Sequence, residues 1–203
     1  MVALRIALGL ALGYTLLVVL AWLLQERLAF PAPRAPVPDP RRLGIPRGER
    51  IELALGDGQR LVGWYLGAPA GSAGSAETAG PGLLWFYGNG ENIAALAPVL
   101  REFQPPGTAL LAIDYPGYGG SSGRATEAAL YRAADAAYAA LQRRRGVDPK
   151  RIYVYGRSLG SAVATYLAAR HPVAGLILES PFTNARAMAR RLYGLLPTFI
   201  LRL

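Results

Sequence analysis

The sequence contains no cysteine, a single histidine (His171) and a single lysine (Lys150). Without cysteine the chain forms no disulfide, no thiolate metal site and no cysteine nucleophile. One histidine rules out a histidine-rich metal site and limits every acid–base mechanism. The lysine follows a proline instead of a glycine-rich loop, so a Walker-type nucleotide site is excluded. We therefore expect neither a metal ion nor a cofactor.

The chain is also poor in charge. Charged residues make up 17% of its 203 residues, against 52% hydrophobic residues, which excludes a disordered chain and indicates one domain with an appendage. The net charge of +9 comes from arginines scattered along the sequence. Their densest run, residues 143–145, is predicted to end a helix, where cations suit the helix dipole. No named nucleic-acid motif is present, so we expect no nucleic-acid partner.

A long apolar run lies near the amino terminus. Residues 6–24, IALGLALGYTLLVVLAWLL, contain no charge. As a helix they would span roughly 28 Å, close to the hydrocarbon core of a bilayer. We expect residues 1–29 to be a single-pass membrane anchor whose 6–24 span contacts the lipid. A cleaved signal peptide and a buried core helix are the alternatives, although the run exceeds the usual apolar region of a signal peptide.

The residues after this span suggest an orientation and a linker. Only Arg5 precedes the span, whereas four arginines follow it, so the positive-inside rule favours a cytoplasmic globular part; the four are Arg27, Arg34, Arg41 and Arg42. Residues 30–48 contain six prolines and are predicted to be a stiff, extended linker. Residues 49–203 then form the globular part, interrupted by a small-residue loop at 71–82.

Strand and helix patterns alternate through the globular part. Apolar runs at 50–55 and 60–66 flank Gly-Asp-Gly and predict a β-hairpin. Further strands are predicted at 83–87, 109–114, 151–155 and 174–179, and helices at 91–103, 126–145 and 159–170, with Thr126 as a helix cap. This alternation predicts an α/β fold with a mostly parallel sheet flanked by helices. Ligand sites in such sheets lie beyond the carboxyl ends of the strands.

One motif carries chemistry. Gly156-Arg157-Ser158-Leu159-Gly160 is a G-x-S-x-G sequence between a predicted strand and a predicted helix. The chain must reverse there within a few residues, which exposes the Ser158 hydroxyl on a strained turn, and side chains at 156 and 160 would collide with neighbouring backbone. The Leu159 amide lies at a helix start, where it can stabilise an oxyanion. The alternative is that Ser158 merely caps the helix.

Four segments together resemble a known family. FYGNGENI (86–93), DYPGYGGSSG (114–123), GRSLG (156–160) and LESPFTN (178–184) are similar to the membrane-anchored branch of the α/β-hydrolase superfamily that includes the Bem46-like and ABHD13-like serine hydrolases. The match covers the first part of that fold, residues 50–184. The resemblance implies a sheet of the α/β-hydrolase type that is incomplete at its carboxyl end and preceded by one transmembrane helix. It also implies acyl hydrolysis by a serine nucleophile, as in an esterase, lipase or thioesterase.

The resemblance also implies roles for individual residues. Ser158 is the expected nucleophile, and the amides of Leu159 and Asn89 are expected to bind the oxyanion, supported by Gly88, Gly90, Gly156 and Gly160. Asp114 is expected to shape the loop after its strand. Ser121 and Ser122 lie in a glycine-rich loop that fails the dinucleotide pattern, and Tyr118 and Phe182 are either pocket or core residues.

The rest of a catalytic triad is missing. In this family the order is Ser, then an acid, then His. After Ser158 the sequence offers only Glu179 and His171, in the reverse order. His171 lies about 20 Å along the helix that starts at the serine, so we expect it to be a helix-end residue and not the base.

Two explanations of this gap remain. We expect a fragment of a longer hydrolase, inactive as it stands, with an unpaired sheet edge, exposed apolar residues at 192–203 and a tendency to aggregate. The alternative is a genuine short, non-catalytic protein tethered to the membrane. The expected partners are the bilayer, through residues 6–24, and a small or lipid-like ester.

Overall fold

The fold is described from a computed structural model of the chain, over residues 1–56, 58–69, 79–102, 104–184 and 187–188. Residues 71–78 of the predicted small-residue loop and the apolar stretch 192–203 lie outside the described residues. The chain divides into two compact units, one with the amino-terminal helix and one, Ala32–Pro181, with the sheet. Each unit is considered by itself.

The amino-terminal helix α1 covers Val2–Ala29. It is long and apolar enough to cross a membrane, with a mean hydropathy of 2.3 in its most apolar stretch, a test that a signal sequence also passes. Its large aliphatic side chains are exposed in the folded chain. A helix that is apolar on all sides needs an apolar environment, so α1 is a candidate membrane anchor, as predicted.

The second unit is built on a six-stranded sheet with the order β1-β2-β4-β3-β5-β6. The strands are β1 Gly48–Gly56, β2 Gln59–Leu66, β3 Gly80–Phe86, β4 Ala109–Ile113, β5 Val147–Arg157 and β6 Gly175–Glu179. The β1–β2 hairpin is antiparallel, and β2 runs antiparallel to β4. β3, β4, β5 and β6 are mutually parallel. The predicted α/β fold with a mostly parallel sheet is confirmed.

Among the described residues, three helices flank this sheet, namely α2 Ala97–Glu102, α3 Glu127–Gln142 and α4 Leu159–Arg170. Every residue of β4 is buried, which explains its continuous apolar run. Thr126 caps α3 as predicted, because its Oγ1 accepts a hydrogen bond of 3.2 Å from the Ala129 amide. The helices run between the two edges of the sheet, so α3 and α4 both start where strands end.

The predicted helix over 91–103 is wrong in its first part. Residues Ile93–Leu96 form a 3-10 helix, and only Ala97–Glu102 are α-helical. The Asn92 side chain caps the 3-10 helix by accepting a bond of 3.1 Å from the Ala94 amide. Pro98 then falls in the first turn of α2, where its missing N–H has no helical partner to lose.

The proline-rich segment also differs from its prediction. Residues 32–47, which we call the strap, lie against the sheet unit and do not form a free spacer. Val37, Pro40 and Ile45 of the strap are buried. Pro40 begins a 3-10 helix, Pro40–Leu43, and the Trp64 indole donates a 3.2 Å hydrogen bond to the Pro38 carbonyl. Prolines hold the strap extended, but apolar contact fixes it to the domain.

Candidate active site

The centre of the candidate site is the turn between β5 and α4. Ser158 lies there with φ 50° and ψ −113°, in a region that residues with a side chain seldom occupy. Its amide donates to the Glu179 carbonyl at 2.9 Å, and its carbonyl accepts from the Ser161 amide at 2.9 Å. Within the described residues its hydroxyl makes no cap hydrogen bond to α4. Ser158 therefore holds the N-cap position of α4 without a capping bond from its side chain.

Close backbone contacts explain the two glycines of the motif. A Cβ on Gly156 would lie 2.2 Å from the Gly160 carbonyl oxygen, and a Cβ on Gly160 would lie 2.1 Å from the Phe86 carbonyl oxygen. Neither backbone oxygen can move without displacing a strand or the start of α4. The glycines thus let α4 begin directly against the end of β3, which holds the turn at Ser158 in place.

The loop after β3, residues 87–92, borders this turn. A Cβ placed on the buried Gly88 would lie 3.7 Å from the Ser158 Cβ, so the loop backbone reaches the serine. Gly90 has φ 76°, which favours glycine. The Asn89 side-chain oxygen accepts from the Gly90 amide at 3.1 Å and from the Tyr118 hydroxyl at 2.6 Å. Leu159 is the first residue of α4, so its amide lies at the helix start.

An ion pair that the sequence analysis missed joins the loop to the turn. The Arg157 guanidinium donates to both carboxylate oxygens of Glu91. This hydrogen bonding to Glu91 raises the pKa of Arg157 above its ordinary value. The two side chains are about one-third exposed, so the pair lies near the protein surface. The only sequence signal for this ion pair was the position of Arg157 within the G-x-S-x-G motif. Its partner Glu91 is 66 residues away in sequence.

A buried carboxylate organises the loops around the site. Asp114, at the end of β4, is fully buried and accepts hydrogen bonds from the Tyr87 hydroxyl at 2.9 Å and the Ile93 amide at 2.8 Å. It also accepts from the Gly120 amide at 3.1 Å. Burial raises the pKa of the Asp114 carboxyl, and these three hydrogen bonds oppose that rise. Asp114 shapes the loop that follows it, as expected, and also the 87–92 loop.

The remaining polar residues near the site have structural partners. The Ser121 hydroxyl donates to the Asp114 carbonyl at 2.7 Å, and the Ser122 hydroxyl pairs with the Arg60 backbone on β2. Tyr118 is buried, and its ring packs edge-on against Tyr115. Phe182, the other aromatic considered, is half-buried.

Neither candidate for the rest of the triad is placed to act as one. His171 ends α4, the helix whose other end is Ser158, and its Nε2 lies 2.8 Å from a carboxylate oxygen of Asp135 on α3. Glu179 ends β6 and accepts a hydrogen bond from the Tyr155 hydroxyl. Burial, together with this bond, raises the pKa of Tyr155 to about 12. The described part of the chain thus brings no histidine to Ser158.

The arrangement limits the chemistry. A half-buried serine in a strained turn at a helix start, beside a glycine-rich loop, is compatible with nucleophilic attack on a carbonyl. Among the described residues, no cluster of three or more His, Asp or Glu could hold a metal ion. The strand order and the strained serine after β5 define a fold of the α/β-hydrolase class.

Comparison with known proteins names the family. The family model described as serine aminopeptidase, S33, matches residues 82–203, more than half of the chain. The chain therefore belongs to this family, within the α/β-hydrolase superfamily.

Two relatives illustrate the similarity. An uncharacterized protein of Mycobacterium tuberculosis, Rv2307c, is 38% identical over 176 residues, which cover 87% of this chain and 60% of that protein. The alpha/beta hydrolase domain-containing protein WAV2 of Arabidopsis thaliana is 36% identical over 75% of this chain and 48% of its own length. The chain thus spans about half to three-fifths of the length of these relatives.

Solved structures agree on the fold. An alpha-beta hydrolase from Vibrio vulnificus superposes with a TM-score of 0.59 and 24% identity, over 76% of this chain and 53% of that one. The Pyrococcus furiosus esterase Pf2001 superposes with a TM-score of 0.58 and 21% identity, over 84% of this chain and 69% of that one. These likenesses establish the α/β-hydrolase fold.

Proposed function

We propose that the chain is the nucleophile-bearing part of a membrane-anchored serine hydrolase that acts on ester-type bonds. The observation that carries this proposal is Ser158, held at φ 50° with its hydroxyl free of α4. Such strain has a cost of about 1–3 kcal/mol and persists only where the surroundings impose it. Here the close contacts of Gly156 and Gly160 impose it, and they hold a half-buried serine at the turn.

The proposed reaction is acyl transfer through a covalent intermediate. The Ser158 oxygen attacks the carbonyl carbon, and a base takes the hydroxyl proton and delivers it to the departing alcohol. The Leu159 and Asn89 amides stabilise the oxyanion, supported by the backbone freedom of Gly88 and Gly90. Water then attacks the acyl-enzyme and releases the acid. Removing one oxyanion donor typically lowers kcat by about 100- to 1,000-fold.

We further propose that the base and its orienting acid are not among these 203 residues, so the chain as given lacks turnover. The only histidine, His171, is bound to Asp135 at the far end of α4. A base must come within about 3 Å of the nucleophile. Since the relatives are longer than this chain, an extended form is expected to supply both groups.

The proposed substrate is a small or lipid-like ester, and the proposed location is a membrane with residues 6–24 in the bilayer and the domain on the cytoplasmic side. The apolar, exposed surface of α1 supports the anchor. The four arginines that follow the span support the orientation.

The test starts at the gene. Coding sequence past the Leu203 codon should continue to an acid and then a histidine, and the extended chain should hydrolyse a p-nitrophenyl ester. Ser158→Ala should abolish this turnover, whereas Ser122→Ala, which leaves the turn intact, should keep it. Faster cleavage of an aminoacyl p-nitroanilide than of the ester would make the enzyme a peptidase. The same turnover by the 203-residue chain itself would refute the proposal that the base is not among these residues.

One observation favours a second function. Because His171 is already paired with Asp135, the present chain can also be read as a non-catalytic, membrane-tethered protein that keeps the fold. A confirmed stop after Leu203, with no hydrolysis by the purified chain, would favour that function.

A further inference from the structure

The ion pair between Arg157 and Glu91 joins two segments of the candidate site. Arg157 ends β5 and directly precedes Ser158, so it belongs to the serine turn, the turn between β5 and α4. Glu91 lies in the 87–92 loop, two residues after Asn89, whose amide is a proposed oxyanion donor. The guanidinium donates to both carboxylate oxygens of Glu91. One side-chain contact therefore connects the serine turn to the loop.

The position of the Arg157 side chain shows how far this contact extends. A Cβ placed on Gly88 would lie 3.7 Å from one guanidinium nitrogen of Arg157 and 3.8 Å from another. The same Cβ would lie 3.7 Å from the Ser158 Cβ. The arginine side chain thus lies alongside the loop, from Gly88 at its start to Glu91 near its end.

The middle of the loop has little other support from packing. The residues that flank it, Tyr87 and Ile93, are fully buried, and both donate hydrogen bonds to the Asp114 carboxylate. Between them, Asn89 and Gly90 are exposed. Exposed loop residues with few buried contacts move easily, whereas a catalytic donor must be held within roughly 0.5 Å of its productive position.

Two side-chain contacts hold this exposed part. The Tyr118 hydroxyl donates to the Asn89 side chain at 2.6 Å and links the loop to the segment after β4. The pair of Arg157 and Glu91 links it to the serine turn, which also carries the other proposed oxyanion donor, the Leu159 amide. The second contact therefore bears directly on the spacing of the two donors.

We propose that Glu91 and Arg157 are positioning residues that hold the 87–92 loop against the serine turn. The two oxyanion donors, the Asn89 and Leu159 amides, are thereby kept at a spacing that suits a single oxygen. Glu91 and Arg157 act through the loop backbone and do not contact the substrate carbonyl. This inference rests on the proposed acyl-transfer function.

Glu179 is a second carboxylate near Arg157. It lies opposite Arg157 in the register of β5 and β6, and its charge raises the pKa of Arg157 after the larger effect of the Glu91 hydrogen bond. Its own carboxylate accepts a hydrogen bond from the Tyr155 hydroxyl. Because β6 lies on the side of β5 opposite β3, an arginine that turned to Glu179 would leave the loop. Removing the Glu91 charge should therefore release the loop.

The distance between the loop and the turn can be measured by disulfide formation, because the chain has no cysteine of its own. Gly88→Cys and Ser158→Cys together place two Cβ atoms 3.7 Å apart. Protein disulfides have a Cβ separation of about 3.8 Å. The equilibrium constant for this disulfide in a glutathione buffer, measured by mass spectrometry on the full chain in mild detergent, reports how often the loop lies at the turn. The readout needs no hydrolysis.

In this background, Glu91→Gln should lower the equilibrium constant at least about threefold, which is the order of effect of a partly exposed ion pair. Glu91→Arg combined with Arg157→Glu restores the pair in reverse and should restore the constant. Glu52→Gln is the matched control, because Glu52 is also paired, with Arg50 and Arg60 on the β1–β2 hairpin. An unchanged constant in Glu91→Gln, no recovery on charge reversal, or an equal loss in Glu52→Gln would overturn the proposal.

Catalysis gives the second readout, in the extended chain that tests the proposed function. Glu91→Gln should lower kcat for a p-nitrophenyl ester at least about tenfold and leave KM nearly unchanged, because an oxyanion donor acts in the transition state. A raised KM with an unchanged kcat would overturn the positioning role. An extended chain that hydrolyses no ester would remove the proposed function, whereas the disulfide measurement would still decide whether the pair holds the loop.

Discussion

At the scale of single residues, the site depends on backbone contacts that leave no room for a side chain. Ser158 keeps its positive φ because Gly160 allows α4 to touch the carbonyl oxygens of Phe86 and Tyr87. The strained backbone of Ser158 and the missing side chain of Gly160 therefore belong to one packing arrangement. The contribution of Gly160 to the stability of the fold can be measured.

Gly160→Ala tests this contact. Its Cβ would lie 2.1 Å from the Phe86 carbonyl oxygen, so either α4 or β3 must shift, and overpacking of this kind costs about 3 kcal/mol. Gly88→Ala is the control, since its Cβ would meet its nearest neighbours at 3.7 Å. Thermal unfolding in mild detergent should show a large loss of stability for Gly160→Ala and little for Gly88→Ala. Equal effects would contradict the packing explanation.

Asp114→Asn tests the buried carboxylate through its pH dependence. Burial raises the pKa of Asp114 above the ordinary value of 3.8, so the folded state binds its proton more tightly than the unfolded state. The resulting stabilisation is fully present below the unfolded pKa and is lost as the pH rises through the folded pKa. The stability of the wild type relative to Asp114→Asn should therefore fall as the pH rises from about 4. Urea unfolding at a series of pH values measures it, and a constant or rising difference would exclude this role.

At the scale of secondary-structure elements, β6 is the last strand of the sheet among the described residues. It pairs with β5 on one side, and its apolar side chains are accessible, with Ile177 52% exposed. An exposed apolar edge strand is a template for pairing with another chain. The unpaired edge expected from the sequence stays a prediction, because residues 189–203 lie outside the described residues.

Ile177→Lys should reduce self-association of the chain, because a charge on an edge strand opposes strand addition. Val99→Lys on α2 is the matched control, as Val99 is a similarly exposed aliphatic residue, 44% accessible, away from any strand edge. Light scattering during gentle heating is the measurement. If both lysines suppressed scattering equally, net charge would be responsible and not the edge.

The elements also show which sequence signals are reliable. The buried strands and α4 were predictable because apolar runs and the G-x-S-x-G turn fix them locally; α4 spans the predicted residues 159–170. The helix predicted at 91–103 failed at its start, where capping by Asn92 and the position of Pro98 favour a 3-10 turn. Apolar periodicity does not distinguish these two kinds of helix over one turn.

At the scale of the whole molecule, the strap belongs to the sheet unit. Proline content predicted a spacer, because composition reports backbone stiffness but not tertiary contact. The burial of Val37 and Ile45 makes the strap part of the sheet unit.

Ile45→Ala measures how firmly the strap is attached. Ile45 is 4% exposed, and truncating a buried isoleucine to alanine costs about 3 kcal/mol. Pro36→Ala, at an exposed strap position, should change the unfolding temperature little. If Ile45→Ala also left the unfolding temperature unchanged, the segment would behave as the linker that its composition suggests.

Long-range pairs explain what the sequence could not predict about the site. The serine turn and the glycine-rich loop are local motifs that can be recognised in the sequence alone. The Arg157–Glu91 pair and the bonds from Tyr87 and Ile93 to Asp114 join segments that are distant in sequence and meet only in the folded sheet. A single sequence does not indicate which distant residues come into contact, beyond the charge that each residue carries.

The central claim is that Ser158 is the nucleophile of an acyl hydrolase. The most direct measurement treats the chain, extended through the residues that follow in its gene, with a fluorophosphonate and maps the adduct by mass spectrometry. The adduct should lie on Ser158, disappear in Ser158→Ala and be absent from the 203-residue chain. An adduct on another serine, or none in an extended chain that carries an acid and a histidine, would contradict the claim.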